Sequence, residues 1–300
     1  MEERLKKFVS LVDAGGFTKA AHDLHISQPA LSVSIAKLER ELRQPLLVHG
    51  LRPLTLTPAG QLAYAAGKDV LVRASNLRLQ LAELSEQQLE VSLGMIDSVA
   101  GALLASPATV DLLERQATVS LVVDNSRNLL QAVEKAQLDI AFVVERPQLD
   151  DLLEVVERAV EPLVVVGRGE SLAGAAQAVH NGRLPRFISY DHASTTHGLI
   201  ATTLQARGIV AEPAFYSTSP EVMLRLVLLE KGVAALPYLL VRELLARREL
   251  QIIGGDEALL IQRPLIAVKR RDLLLASPLS HTAHRITGLF DSLLLELRTR

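Results

Sequence analysis

The chain has 300 residues, 49% of them apolar, no cysteine and a formal net charge of −2. That length suits about two domains with substantial cores, and the absence of cysteine excludes disulfides and thiolate chemistry, which allows a reducing compartment, with the cytoplasm the default expectation. The opening MEERLKKFVS carries no signal-peptide pattern, and no apolar run approaches the roughly 20 residues of a membrane span, so no membrane association is expected.

Charge is unevenly spread: residues 1–60 hold eight Lys/Arg against six Asp/Glu, and residues 61–300 hold 24 against 28. A mildly basic head is compatible with phosphate contact without establishing it. Within the head, Leu5, Phe8, Val9 and Val12 recur at helical spacing, and Gly15-Gly16 ends that helix. Thr18 is positioned to cap a second, short helix whose apolar face is Ala20, Ala21 and Leu24.

The stretch SQPALSVSIAKLEREL, Ser27 to Leu42, predicts a third helix. Ser27 supplies a capping hydroxyl, and Pro29 falls in the first turn, where its missing N–H costs no helical hydrogen bond. Leu31, Ile35, Leu38 and Leu42 form its core stripe. The opposite side carries Pro29, Val33, Ala36 and Arg40, flanked by Gln28 and Ser32 on one edge and Lys37 on the other. Such a face fits either the solvated side of a small bundle or a recognition helix in a DNA major groove. In a groove, Gln28 suits an adenine edge, Ser32 a base or phosphate, and Val33 a thymine methyl, while the helix start docks on a phosphate.

The pattern F17-T18-x-A20-A21-x-x-L24-x-x-S27-Q28-P29-A30-L31-S32-x-x-I35-x-x-L38-E39-x-x-L42, followed by Pro45-Leu46 and L56-T57-P58-A59-G60, resembles the winged helix-turn-helix of LysR-type transcriptional regulators. The resemblance implies contacts to double-stranded promoter DNA from Thr18, Ser27, Gln28, Pro29, Ser32, Val33, Lys37, His49, Arg52 and Thr57. Three positions depart from the family pattern: Arg43 replaces a usual glycine, Leu47 an aromatic, and His49 an arginine of the wing. The last exchange removes a permanent cation, so weaker or more pH-sensitive DNA binding is expected.

Beyond Gly60, Leu62, Ala66, Val70, Ala74, Leu77, Leu81 and Leu84 form a seam at steps of four and three. A long helix with such a seam needs a partner, either its own body or a second copy of the chain. The resemblance implies an antiparallel dimerisation helix, and beyond it a homotetramer built as a dimer of dimers, with RNA polymerase as a further partner.

From Leu89 strands and helices alternate: VSLGM, a helix through Leu103 and Leu113, VSLVV, LLQAVEKA and LDIAFVV. A second set runs from PLVVVG through RFISY, HGLIATTLQARG, AFYST, EVMLRLVLLEKG and VAALP. RPLIAVKR makes a late strand, and Ile286 to Leu297 a closing helix. Alternation predicts a parallel sheet covered by helices, in two lobes with a ligand cleft between them. The same segments resemble the family's effector-binding domain, of periplasmic-binding-protein type. The fold class expected is thus α/β with an α-rich head: a winged helix-turn-helix over 1–60, a linker helix over 61–88, and an effector domain over 89–300. Its first lobe takes 89–161 and 267–300, and its second 162–266. The resemblance places Ser98, Asn125, Ser126, Ser194, Thr195, His197 and Thr218 against a small-molecule effector of unknown identity. Several members carry arginine at the position of His197.

Other classes find less support. No G-x-S-x-G elbow, P-loop or H-E-x-x-H occurs, so neither an enzyme nor a cofactor is expected. His281 and His284, three apart on a helix, lack the partners of a metal site. GRGESLAG lacks the third glycine of a dinucleotide loop and reads as a loop, and Lys269-Arg270-Arg271 as a solvated loop end. A transport receptor would need no DNA-binding head. An effector-independent regulator whose body serves assembly is the alternative.

Overall fold

The computed structural model describes residues 1–48, 53–85, 89–253 and 260–298. It divides into two compact units, residues 1–87 with 272–274, and residues 88–271 with 275–300.

The first unit packs α1 (Glu2–Ala14), α2 (Phe17–Asp23) and α3 (Gln28–Leu42) around Phe8, Leu11, Ala20, Leu31, Ile35 and Leu38. Gly15 ends α1 in the left-handed region, at φ 72°, where a side chain is disfavoured. Arg43 ends α3 at φ 54°, so the residue found where the family favours glycine adopts the conformation glycine accepts without cost. Ser27 caps α3, its Oγ accepting from Ala30 N at 3.3 Å. Thr18 does not cap α2: Gly16 holds that position, and Thr18 lies inside the helix.

After α3 the chain makes a short antiparallel bridge between Leu47 and Leu56. Glu39 fastens its base, accepting from Leu46 N at 2.7 Å and Leu47 N at 3.3 Å. Helix α4 (Pro58–Ser85) then starts so close to Leu46 that a Cβ on Gly60 would sit 2.0 Å from its carbonyl oxygen. It continues along α1, where Gly67 faces Leu5 and Val9 and Tyr64 donates to Asp13 at 2.6 Å. On its other side Leu62, Val70, Leu77 and Leu81 are exposed, so the seam is not spent within the unit. The side chain of Leu84 lies outside the described residues.

The second unit is built on one mixed sheet with strand order β2-β1-β3-β9-β4-β7-β5-β6, where β8 (Gln251–Ile252) adds to β4. At one end β1 (Leu89–Met95) pairs in parallel with β2 (Ala117–Val123) and β3 (Ile140–Val144). At the other, β5 (Arg183–Tyr190) pairs in parallel with β6 (Val210–Ser217) and β7 (Val233–Pro237). Two long strands, β4 (Leu153–Gly167) and β9 (Leu260–Arg270), run antiparallel through both halves and join them. The sheet is therefore not all parallel, as alternation alone suggests. PLVVVG is only the second half of β4, whose first half carries too many charges to read as a buried strand.

Helices α5 (Asp97–Leu104), α6 (Pro107–Gln116) and α7 (Ser126–Glu134) belong to the first half. The single helix expected through Leu103 and Leu113 is broken at Ser106-Pro107, since proline cannot continue a helix. The second half holds α8 (Gly169–Val179), α9 (Thr195–Ala206), α10 (Pro220–Leu228) and α11 (Tyr238–Ala246). GRGESLAG, expected as a loop, instead opens α8: Gly169 takes φ 54°, and the Glu230 carboxylate accepts from Glu170 N. The closing helix α12 (Ser277–Arg298) begins nine residues before Ile286, and inside it the Thr282 and Thr287 hydroxyls donate back to helix carbonyls, so these polar residues are accommodated in the helix. Arg270 is no solvated loop end. It is buried at the end of β9 and donates to the Glu134 carbonyl, while Lys269 pairs with Glu154 at 2.8 Å.

Candidate functional site

Two surfaces carry chemistry. On α3 the core stripe is turned inward, and Gln28, Pro29, Ser32, Val33 and Lys37 are all exposed. Val33 is 53% exposed, so its methyl groups are open to contact from outside the unit. The Thr18 hydroxyl lies 3.4 Å from Gln28 Oε1 and donates to it, so α2 orients the amide at the start of α3. Thr57 donates its hydroxyl to Pro45 O at 2.6 Å and accepts from Gly60 N at 2.9 Å, so its hydrogen is committed to holding α4 against the chain after α3. His49 and Arg52 lie outside the described residues.

The second surface is a cleft of about 450 Å³ where the two halves of the sheet meet. The first turns of α5, α7, α9 and α10 border it, and first-turn N–H groups have no intrahelical acceptor and a positive local potential. Ser98, Asn125, Ser126, Ser194, Thr195 and Thr218 all line it. The caps are Asn125 and Ser194, whose side chains accept from Asn128 N at 3.0 Å and Thr196 N at 3.2 Å. Ser98 and Thr195 sit inside their helices, and Ser126 Oγ accepts from Val144 N at 3.1 Å.

His197 does not line the cleft. Its Nδ1 is held 2.9 Å from Ser189 Oγ and 3.1 Å from Tyr190 O, and its ring packs among His192 and Tyr216. Two residues along a helix rotate a side chain by about 200°, so Thr195 and His197 face different ways.

The buried cation of the cleft is Arg263, on β9, only 3% exposed. It stands opposite Glu161 of β4 in the strand register, at the junction of the two halves. Arg263 Nε donates to Glu161 Oε2 at 2.8 Å, Nη1 to Thr196 Oγ1 at 3.1 Å, and Nη2 to Ser98 Oγ at 2.7 Å. Ser98 passes its own hydrogen to Glu161 Oε2 at 3.1 Å. One guanidinium thus ties α5 of the first half to α9 of the second through the strands that join them. Burial opposes the charge on Arg263, and the Glu161 carboxylate outweighs it, holding the guanidinium above its ordinary pKa. Sequence reading missed this pair because 102 residues separate its members and each lies in an ordinary strand. The one available signal was a charged residue in each of two apolar runs.

Beside the pair, the Tyr190 hydroxyl is buried without a hydrogen-bond partner, and burial pushes its pKa up to about 12, so it stays a neutral donor. Asp97, on the cleft wall, has its carboxyl pKa raised by partial desolvation and by the nearby charges of Glu221 and Asp124, against the pull of Arg263. Among the described residues no group of three His, Asp or Glu side chains is arranged to hold a metal.

A small helical unit that exposes a polar and apolar helix face, joined to a two-halved α/β unit with a polar cleft, is the build of a ligand-responsive DNA-binding regulator. Residues 3–61 match the family described as bacterial regulatory helix-turn-helix protein, lysR family, and residues 84–286 match the LysR substrate binding domain. The chain belongs to the LysR family and is a DNA-binding transcriptional regulator with an effector-binding domain. Among its relatives, the nitrogen assimilation regulatory protein nac of Klebsiella aerogenes is 31% identical over 211 residues, 68% of this chain and 69% of that protein. The fold is also that of a full-length OxyR variant from Pseudomonas aeruginosa, with TM-score 0.62, 19% identity and coverage of 97% and 94%. Vibrio fischeri DarR, solved in complex with DNA, gives TM-score 0.51 and 20% identity over 97% of this chain and 98% of that one.

Proposed function

We propose that α3 is the recognition helix and that the cleft bordered by Ser98, Asn125, Ser126, Ser194, Thr195 and Thr218 holds the effector. Gln28, Ser32 and Val33 read bases. Thr18, Ser27, Pro29, Lys37, His49 and Arg52 serve the phosphate backbone or shape the helix start, and Thr57 positions the segment after α3 from behind. His197 braces the turn between β5 and α9 from behind the cleft through Ser189 and Tyr190 O. The observation that carries the reading is the double display: a solvent-facing α3 surface in one unit, and in the other a cleft whose walls come from both halves of the sheet.

The halves correspond to lobes of residues 89–161 with 267–300, and 162–266. Glu161, the last residue of the first lobe before the chain enters the second, pairs in register with Arg263 of the second, and a ligand drawing α5 and α9 together would load that pair. The protein works in the cytoplasm and catalyses no reaction. No described helix is long and apolar enough to cross a membrane. Two copies pair through the exposed seam of α4, presenting two heads to two half-sites, and dimers pair again into a tetramer. RNA polymerase is the downstream partner.

A gel-shift titration with the DNA upstream of the chain's own gene tests the DNA side. Gln28→Ala or Ser32→Ala should each lose about 1–3 kcal/mol of specific affinity at constant salt while nonspecific binding is kept. Normal specific affinity in both variants would remove α3 from the groove.

A further inference from the structure

We propose that the effector is a small zwitterion, an α-amino acid or a compound with the same paired ammonium and carboxylate, with Asp97 as the residue that receives its cationic end. The inference rests on the cleft being the effector site and names the ligand that its charges require. Both signs are present on its walls. Asp97 makes no hydrogen bond or ion pair among the described residues. Asp124, by contrast, accepts from Asn125 and Asn128, and Asp191 from Ala193 N. Glu221, beside the lining residue Pro220, and Asp124 add negative potential at Asp97.

The opposite sign comes from three sources. Arg127 and Arg146 line the cleft and have no ion pair among the described residues. The first turns of α5 and α9 meet at Arg263, which bonds the Ser98 and Thr196 hydroxyls; Ser98 N and Thr195 N in those turns have no acceptor among the described residues, and the buried Tyr190 hydroxyl has a hydrogen to give and no acceptor.

Each simpler ligand leaves part of this array unmet. A dicarboxylate would find Arg127 or Arg146 for its second charge but would leave Asp97 without a cation and add negative charge beside Asp97, Asp124 and Glu221. A plain amine would satisfy Asp97 and leave the free N–H groups and the Tyr190 hydroxyl without an acceptor. A neutral sugar would compensate neither charge. A zwitterion puts its carboxylate among the N–H groups and the Tyr190 hydroxyl and its ammonium on Asp97, so both poles gain charge-assisted hydrogen bonds.

The test uses the full-length protein in thermal-shift and calorimetric titrations against matched triads: each common L-amino acid, the carboxylic acid lacking its amino group, and the amine lacking its carboxylate. At least one amino acid should raise the melting temperature in proportion to its concentration, with its acid and amine binding about tenfold more weakly or worse. Asp97→Asn should weaken that amino acid about tenfold or more, Asp97→Glu should restore part of the loss, and the affinity of the matched carboxylic acid should not fall in D97N. Circular dichroism checks that each variant is folded. An acid that binds as tightly as its amino acid, an amino acid indifferent to D97N, or no binding by any triad would each overturn the proposal. Thr195→Val separates the two levels of failure: a ligand that is sensitive to T195V and indifferent to D97N keeps the cleft and rejects the zwitterion. One indifferent to both rejects the cleft itself.

Discussion

The recognition surface and the cleft belong to one chain and are built in opposite ways. Every exposed α3 residue proposed to meet DNA lies within ten positions, from Gln28 to Lys37, and helical geometry alone brings them to one side. The cleft draws its polar groups from Ser98, Asn125, Tyr190, Thr195, Thr218 and Arg263, delivered by the strand-to-helix transitions after β1, β2, β5 and β6 and by β9. A contiguous site depends on one helix being formed. A dispersed site depends on the relative placement of two half-sheets, so it can change shape as they move.

The sharpest way to break this comparison is at the junction. Glu161→Gln leaves Arg263 charged, buried and without its counter-ion, and should cost about 3–5 kcal/mol of the stability of the second unit. Hydrogen exchange in α1, α2 and α3 should be unchanged. Urea unfolding with exchange detected by mass spectrometry reads both, and equal loss of protection in the two units would show that they do not fold separately.

A smaller effect is expected in the head. Ser27→Ala removes the hydroxyl that accepts from Ala30 N and should cost about 1 kcal/mol, measured as a shift in the unfolding midpoint of the first unit. Because the loss is confined to the first turn of α3, specific DNA affinity should fall with it and effector affinity should not. A cleft affected as strongly as the helix would contradict the picture of independent construction.

The last effect is read as a trend with pH. Asp139, half-buried before β3, accepts from Ser92 N at 2.7 Å, and desolvation nonetheless raises its carboxyl pKa in the folded protein. A raised folded-state value means that its contribution to stability is fully present below the unfolded pKa and is lost as pH rises through the folded one. Asp139→Asn keeps an acceptor and cannot ionise, so the variant should gain on the parent as pH increases through that window. A stability difference that stays flat with pH would mean that Asp139 is not desolvated.

Much of the fold is legible in the sequence for a physical reason. The spacing of Leu31, Ile35 and Leu38, the cap at Ser27 and the glycine at the end of α1 act over a few residues, and the helices they predict are present. Local signals fail where a distant group decides. GRGESLAG carries three glycines that obscure the helix start, and the cap comes from afar: Glu230, 60 residues on, accepts from the first turn of α8. Residues 153–161 carry too many charges to predict a buried strand, and β9 makes them half of a long strand.

By itself the sequence determined the head, the exposed seam and the alternation of strands and helices, since propensity, capping and periodicity are short-range properties. It also placed most of the lining residues at strand-to-helix transitions. Only the tertiary structure decided that the sheet is mixed and that His197 turns out of the cleft. It alone joined Arg263 to Glu161 between α5 and α9, because a buried charge is tolerable only where the fold delivers its partner.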